Sequence, residues 1–168
     1  MILMRNKLAL AFVIPFTISI GAYGALPAND NPCSATPLGT LPAPGLCPLN
    51  TVAFITQAGN NSGATAEMPH PALMNCNPGG NMANPMSDVW YSFIASSNTI
   101  EITITGLTTP QIALYRYVGD CMALHPIDCA IGGSGALNVQ FESIVAGENY
   151  LLQVGGGALA DQGAFSMD

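Results

Sequence analysis

The sequence predicts an all-β protein: an antiparallel β-sandwich of jelly-roll-like form, held by disulfides and preceded by a signal peptide. Three observations lead there. Short segments rich in β-branched and aromatic residues recur roughly every 10–15 residues, with Gly, Asn and Pro between them. No stretch sustains a 3.6-residue apolar period between helix caps. Five cysteines follow an apolar N-terminus in a chain of 168 residues, a combination typical of small exported domains.

Residues 1–24 read as the signal peptide. Arg5 and Lys7 make the positive start, Leu8 to Ile20 is a run of 13 residues broken in polarity only by Thr17 and Ser19, and Ala22-Tyr23-Gly24 offers small residues for cleavage after Gly24. A membrane span needs about 20 apolar residues, and Pro15 interrupts this shorter run. Cleavage and export to the medium or cell surface are expected, with no stable membrane insertion afterwards. Residues 25–50 are Pro-rich and read as an irregular N-terminal segment of the domain. Residues 51–168 read as the sandwich, its last strand either whole or truncated.

Strand candidates follow in order. Residues 51–58 form the first, and residues 59–87 a long polar loop of the kind that carries function or hides a short strand. Val89 to Ala95 is aromatic and β-branched. Over 99–105, Ile100, Ile102 and Ile104 alternate with Thr99, Glu101, Thr103 and Thr105, which marks a strand with one wet face. Gly106 ends it. Residues 111–117 give another strand, with Ile112 and Leu114 inward. Leu137, Val139 and Phe141 alternate, as do Tyr150, Leu152 and Val154, and residues 163–167 begin a last strand. The Gly-rich stretches at 132–135 and 155–157 lack the Gly-Lys-Ser/Thr ending of a phosphate loop and read as hairpin turns.

Charge narrows the function. The full chain has 3 Lys+Arg against 10 Asp+Glu. Removing residues 1–24 leaves Arg116 as the one base and all ten acids, a net charge of −9. Such a surface excludes nucleic-acid binding, which needs phosphate neutralisation, and does not favour anionic membranes. Catalysis is not expected. There is no Gly-x-Ser-x-Gly elbow, Ser134 lies in a glycine turn, and His70 and His125 read as loop histidines. Zinc through His70, Cys76, Cys121, His125 and Cys129 lacks close Cys pairs.

For the cysteines, spacing pairs Cys121 with Cys129 first and Cys33 with Cys47 next. Cys76 is left with a missing partner, a partner chain or a free thiol. Asp30, Asp88 and Asp128 are the candidate ligands for calcium, because Ca²⁺ takes carboxylate and carbonyl oxygens. Trp90 reads as core. By strand alternation Tyr91 faces the other way, so one of the two is expected outside. Tyr91, Arg116 and Tyr117 are the candidate ligand-binding residues, with aromatic faces suited to a sugar.

Residues quoted in chain order carry a resemblance. Ala28-Asn29-Asp30-Asn31-Pro32-Cys33-Ser34 opens it, followed by Asn61-Ser62-Gly63-Ala64-Thr65 and Asp88-Val89-Trp90-Tyr91-Ser92-Phe93. Ile112-Ala113-Leu114-Tyr115 leads to Cys121 and Cys129. Gly147-Glu148-Asn149-Tyr150 and Gly163-Ala164-Phe165-Ser166 close it. Over about residues 28–167 the chain resembles secreted β-sandwich modules of Bacteroidetes-type surface proteins, similar to bacterial pre-peptidase C-terminal domains. The resemblance implies a non-catalytic jelly-roll-like module that sits beside peptidases, glycosidases or adhesive repeats and binds carbohydrate, protein or Ca²⁺. The chain departs from it twice. Ala130-Ile131-Gly132-Gly133 stands after Cys129 where acids are usual, and Phe165-Ser166-Met167-Asp168 lacks the late cysteine. The function expected is therefore a surface interaction module for an extracellular glycan or protein, calcium-dependent if the acids converge. The alternative is an accessory domain that assists the structure or secretion of a larger exported peptidase, glycosidase or adhesin.

Overall fold

Alternation within each strand decides which layer it joins. The computed structural model describes residues 25–42, 54–65, 87–133, 135–157 and 161–168. The expected signal peptide, Cys47, His70, Cys76 and Ser134 lie outside these residues. The strands are β1 (Thr36–Thr40), β2 (Gln57–Asn60), β3 (Ser87–Ile94), β4 (Ile100–Thr105), β5 (Pro110–Arg116), β6 (His125–Ile131), β7 (Ala136–Phe141), β8 (Asn149–Gly156) and β9 (Ala164–Met167). They form a five-stranded sheet ordered β1-β3-β8-β5-β6 and a four-stranded sheet ordered β2-β9-β4-β7. With β1 set aside, β2 to β9 counted as one to eight give sheets ordered 1-8-3-6 and 2-7-4-5. That is the two-Greek-key order of a jelly roll.

In β4 the three isoleucines are buried while Glu101 and Thr105 are exposed, so the alternation read from sequence holds. Gly106 follows with φ 100°, a left-handed turn that suits glycine. The core between the sheets joins Val89, Phe93, Leu114, Leu152 and Val154 to Ile102, Ile104, Phe141 and Phe165. Gly59 is required here, since a Cβ would collide with the Phe165 ring and the Tyr91 hydroxyl.

Several expectations are corrected. The segment 25–50 is not wholly irregular: β1 lies within it and pairs parallel to β3, the one parallel pairing among the described residues. Pro37 is tolerated there because β1 is an edge strand. The first strand of the four-stranded sheet begins at Gln57 rather than at 51 among the described residues. Gly155 and Gly156 lie inside β8, not in a turn. A Cβ at Gly156 would strike Asp161. β6 and β7 belong to different sheets, so the Gly-rich stretch between them does not close a hairpin.

The cysteine pairing is corrected too. Cys33 bonds Cys121 across a separation of 88 residues, which overturns both Cys121–Cys129 and Cys33–Cys47. Cys129 sits on β6 and is also disulfide-bonded. Spacing misled because β6 is extended: it carries Cys129 up the sheet, away from the loop that holds Cys121.

Candidate functional site

An apolar notch lined by residues of both sheets lies beside β4. β9 meets β4 at Ile104↔Met167 and Thr105↔Ser166, and the ladder continues once more where the N–H groups of Thr103 and Asp168 each donate to the other's carbonyl, both at 2.9 Å. β4 starts at Ile100 and pairs along its whole length with β7 on its other side. An apolar cleft of about 290 Å³ opens at that point. Phe93 and Leu152 of the five-stranded sheet line it, with Ile100 and Ile102, while Leu41 and Phe54 form walls. Phe54 is 68% exposed, an unusual position for a large aromatic side chain.

The polar lining residues Ser97, Thr99, Glu101, Gln140 and Asp168 include two acids and no Lys, Arg or His. Asn138 Nδ2 donates to Glu101 Oε1 at 2.9 Å, and Thr56 Oγ1 donates to Asp168 Oδ1 at 2.7 Å. Both carboxylates are thus oriented, and the field at the mouth favours a cation. The site can hold an apolar group and attract positive charge beside it. It offers no nucleophile paired with a base.

The residues singled out by sequence lie elsewhere. Tyr91 is corrected as a ligand platform: it is 2% exposed and packs edge-on to Phe165 with ring centroids 6.4 Å apart. Burial raises its pKa, partly offset by a hydrogen bond with the Asn29 side chain. Trp90 is buried as well, on the opposite face of β3. Neither faces out, because the five-stranded sheet is covered on both sides. Tyr117 is exposed as expected, and Arg116 pairs with Glu148 at 3.6 Å.

The three acids proposed for calcium do not converge. Asp30 accepts from Thr65 N–H at 2.7 Å and Thr65 Oγ1 at 2.8 Å. Asp88 is buried on β3 and accepts from Gln153 Nε2. Asp128 is exposed on β6, where it accepts from the Cys129 N–H. β6 is three strand spacings from β3, about 14 Å at the usual interval. Among the described residues no three His, Cys, Asp or Glu side chains are grouped to hold a metal ion.

Sequence reading missed Phe54, Ile100 and Ile102 as site residues. The available signal was Phe54-Ile55 at the end of an apolar run where alternation fails. No helix among the described residues is long and apolar enough to cross a membrane. The Cys33–Cys121 bridge is of the kind made in oxidising compartments. No protein-family model matches the chain, and no curated protein matches it.

Proposed function

We propose that the protein is an exported, non-catalytic interaction module that binds an apolar segment of a partner protein in the notch beside β4. One observation carries this reading: a 290 Å³ apolar cleft with the 68%-exposed Phe54 at its mouth. Pockets of this size that combine apolar walls with a few polar groups are the usual form of a binding site. The signal-like N-terminus and the disulfide support export, and the resemblance to secreted β-sandwich modules supports a surface role. Protein is favoured over carbohydrate because the cleft is lined by aliphatic side chains and Phe rather than by polar groups around an open aromatic platform.

Nile red, an uncharged apolar dye, provides the test. It is expected to fluoresce on binding the oxidised chain. Phe54→Ala should weaken that binding by about tenfold, the worth of burying an aromatic side chain, while leaving the melting temperature unchanged. Equal dye binding by the variant, or none by the parent chain, would remove the notch as a binding site.

A further inference from the structure

Residues 25–168 hold ten acids and one base, Arg116, with no Lys. At ordinary composition, where about a quarter of residues are charged, a stretch of this length carries about 18 bases and as many acids. Acids are down by about half on that scale and bases by far more, so the depletion is of Lys and Arg in particular. Its consequence is chemical. A peptidase that cuts after Lys or Arg has one bond to attack in this stretch, Arg116–Tyr117.

The fold closes that bond. Peptidases cut where the main chain is free to leave its hydrogen bonds, above all at exposed loop tips. Arg116 instead ends β5, an interior strand that pairs with β8 at Arg116↔Tyr150 and with β6 at Arg116↔His125. The next residue is held as well, since the Tyr117 N–H donates to the Asn149 C=O at 3.0 Å. The Arg116 side chain lies 3.6 Å from the Glu148 carboxylate. Residues 110–115, before the bond, are buried, whereas residues 117–120, after it, are exposed. Only the loop half of the site is within reach of an enzyme. The Cys33–Cys121 bridge straddles the bond, with Cys33 before it and Cys121 after it.

We infer that Arg116–Tyr117 is a latent site for a Lys/Arg-specific peptidase, single within residues 25–168 and kept shut by β5 in the folded chain. A cut there leaves the two pieces joined through the Cys33–Cys121 bridge. Hydrolysis adds one water, placing a carboxylate on Arg116 and an amino group on Tyr117. The folded chain thus withstands a peptidase of basic specificity, and is nicked once without falling apart when β5 opens. This holds whatever the notch binds.

Trypsin tests it on the oxidised full chain, with products read by mass spectrometry before and after reduction. Cuts after Arg5 and Lys7 remove at most residues 1–7 and are read separately. Under native conditions the rest is expected to stay whole. In urea at the unfolding midpoint, with the bridge intact, the chain should gain one water at Arg116–Tyr117 and separate into two pieces only after reduction. Val118→Lys changes an exposed position two residues on, in the loop. The folded variant should be cut after residue 118 at least about 100-fold faster than after Arg116, because an interior strand is cleaved only through its rare open state. Glu148→Gln should speed cleavage after Arg116 by no more than about fivefold, the scale of an exposed ion pair.

Cleavage of the folded variant after Arg116 as fast as after residue 118 overturns the closed site. Resistance at both positions overturns β5 as the cause, because the loop is then shut as well. Rapid cutting after Arg116 in folded Glu148→Gln moves the gate from the strand to the ion pair and overturns it equally. Pieces that separate without reductant overturn the tether.

Discussion

The two faces of the five-stranded sheet are both buried, by different means. The inner face meets the four-stranded sheet over a broad apolar surface in which Phe93 and Tyr150 stack at 5.6 Å. The outer face has a smaller cluster, Trp90, Ala113, Tyr115, Leu124 and Leu151, with Ala35 and Cys129 against it. Its cover comes from irregular chain. Asn29 brackets Trp90, its C=O accepting the Trp90 N–H and its Nδ2 donating to the Trp90 C=O, each at 2.9 Å. Leu124 belongs to the loop between β5 and β6, and the Cys33–Cys121 bridge fastens that loop to the N-terminal segment. Polar groups are buried here too: Tyr115 donates to Gln153 Oε1 at 3.0 Å, and Gln153 donates to Asp88. Apolar area closes the inner face, whereas a covalent clasp and a hydrogen-bond chain close the outer one.

The largest effect should come from the inner face. Phe141 is fully buried on β7 opposite Ile100, and Phe141→Ala is expected to cost about 3–5 kcal/mol through lost transfer energy and a cavity. Urea unfolding measures it. A cost below about 1 kcal/mol would mean that the inner face is plastic, and the contrast between the faces would be lost.

Next comes the clasp. Replacing Cys33 and Cys121 together by serine releases a cross-link spanning 88 residues, and a loss of about 2–4 kcal/mol is expected. The single tryptophan of the chain lies in the clasped cluster, so fluorescence reports the cover directly. A red shift of Trp90 emission under native conditions, with the far-UV spectrum retained, would show the outer cover lifting from an intact sandwich. An unshifted spectrum with unchanged stability would show that the cover stands on its own contacts.

The same contrast explains what could be read from the sequence. Strands with one wet face announce themselves, as β4 does through Ile100, Ile102 and Ile104. β3 and β8 are buried on both sides and were legible as strands, but their second buried face was not, so Tyr91 was expected outside. β6 is partly covered along its length with no clean alternation and contains Pro126, so nothing marked it. The Cys33–Cys121 pairing joins segments brought together by the sheet, which spacing along the chain does not measure. The notch was equally illegible. Its residues look like ordinary strand and loop residues, and only the fold brings them together from both sheets.

The smallest effect concerns Tyr115 and distinguishes the faces by pH. Burial chiefly, and then the Asp88 carboxylate, raise the Tyr115 pKa, whereas the rise at Tyr91 on the inner face is partly offset by Asn29. A tyrosine with a raised pKa keeps its proton when folded and loses it near pH 10 when unfolded. Stability is therefore unaffected below about pH 10 and falls as pH rises above it, by about 1 kcal/mol per pH unit for each such group. Residues 25–168 contain no Lys, so lysine titration does not obscure this range. Tyr115→Phe removes the hydrogen bond to Gln153 and should cost about 1 kcal/mol near pH 7, but it should also flatten the alkaline decline. Tyr91→Phe should flatten it less. The measurement is the urea midpoint from pH 8 to pH 11 for the parent chain and both variants. An equal slope for Tyr115→Phe and the parent would show that the Tyr115 hydroxyl titrates freely, and that the outer face admits water to a group the inner face would keep dry.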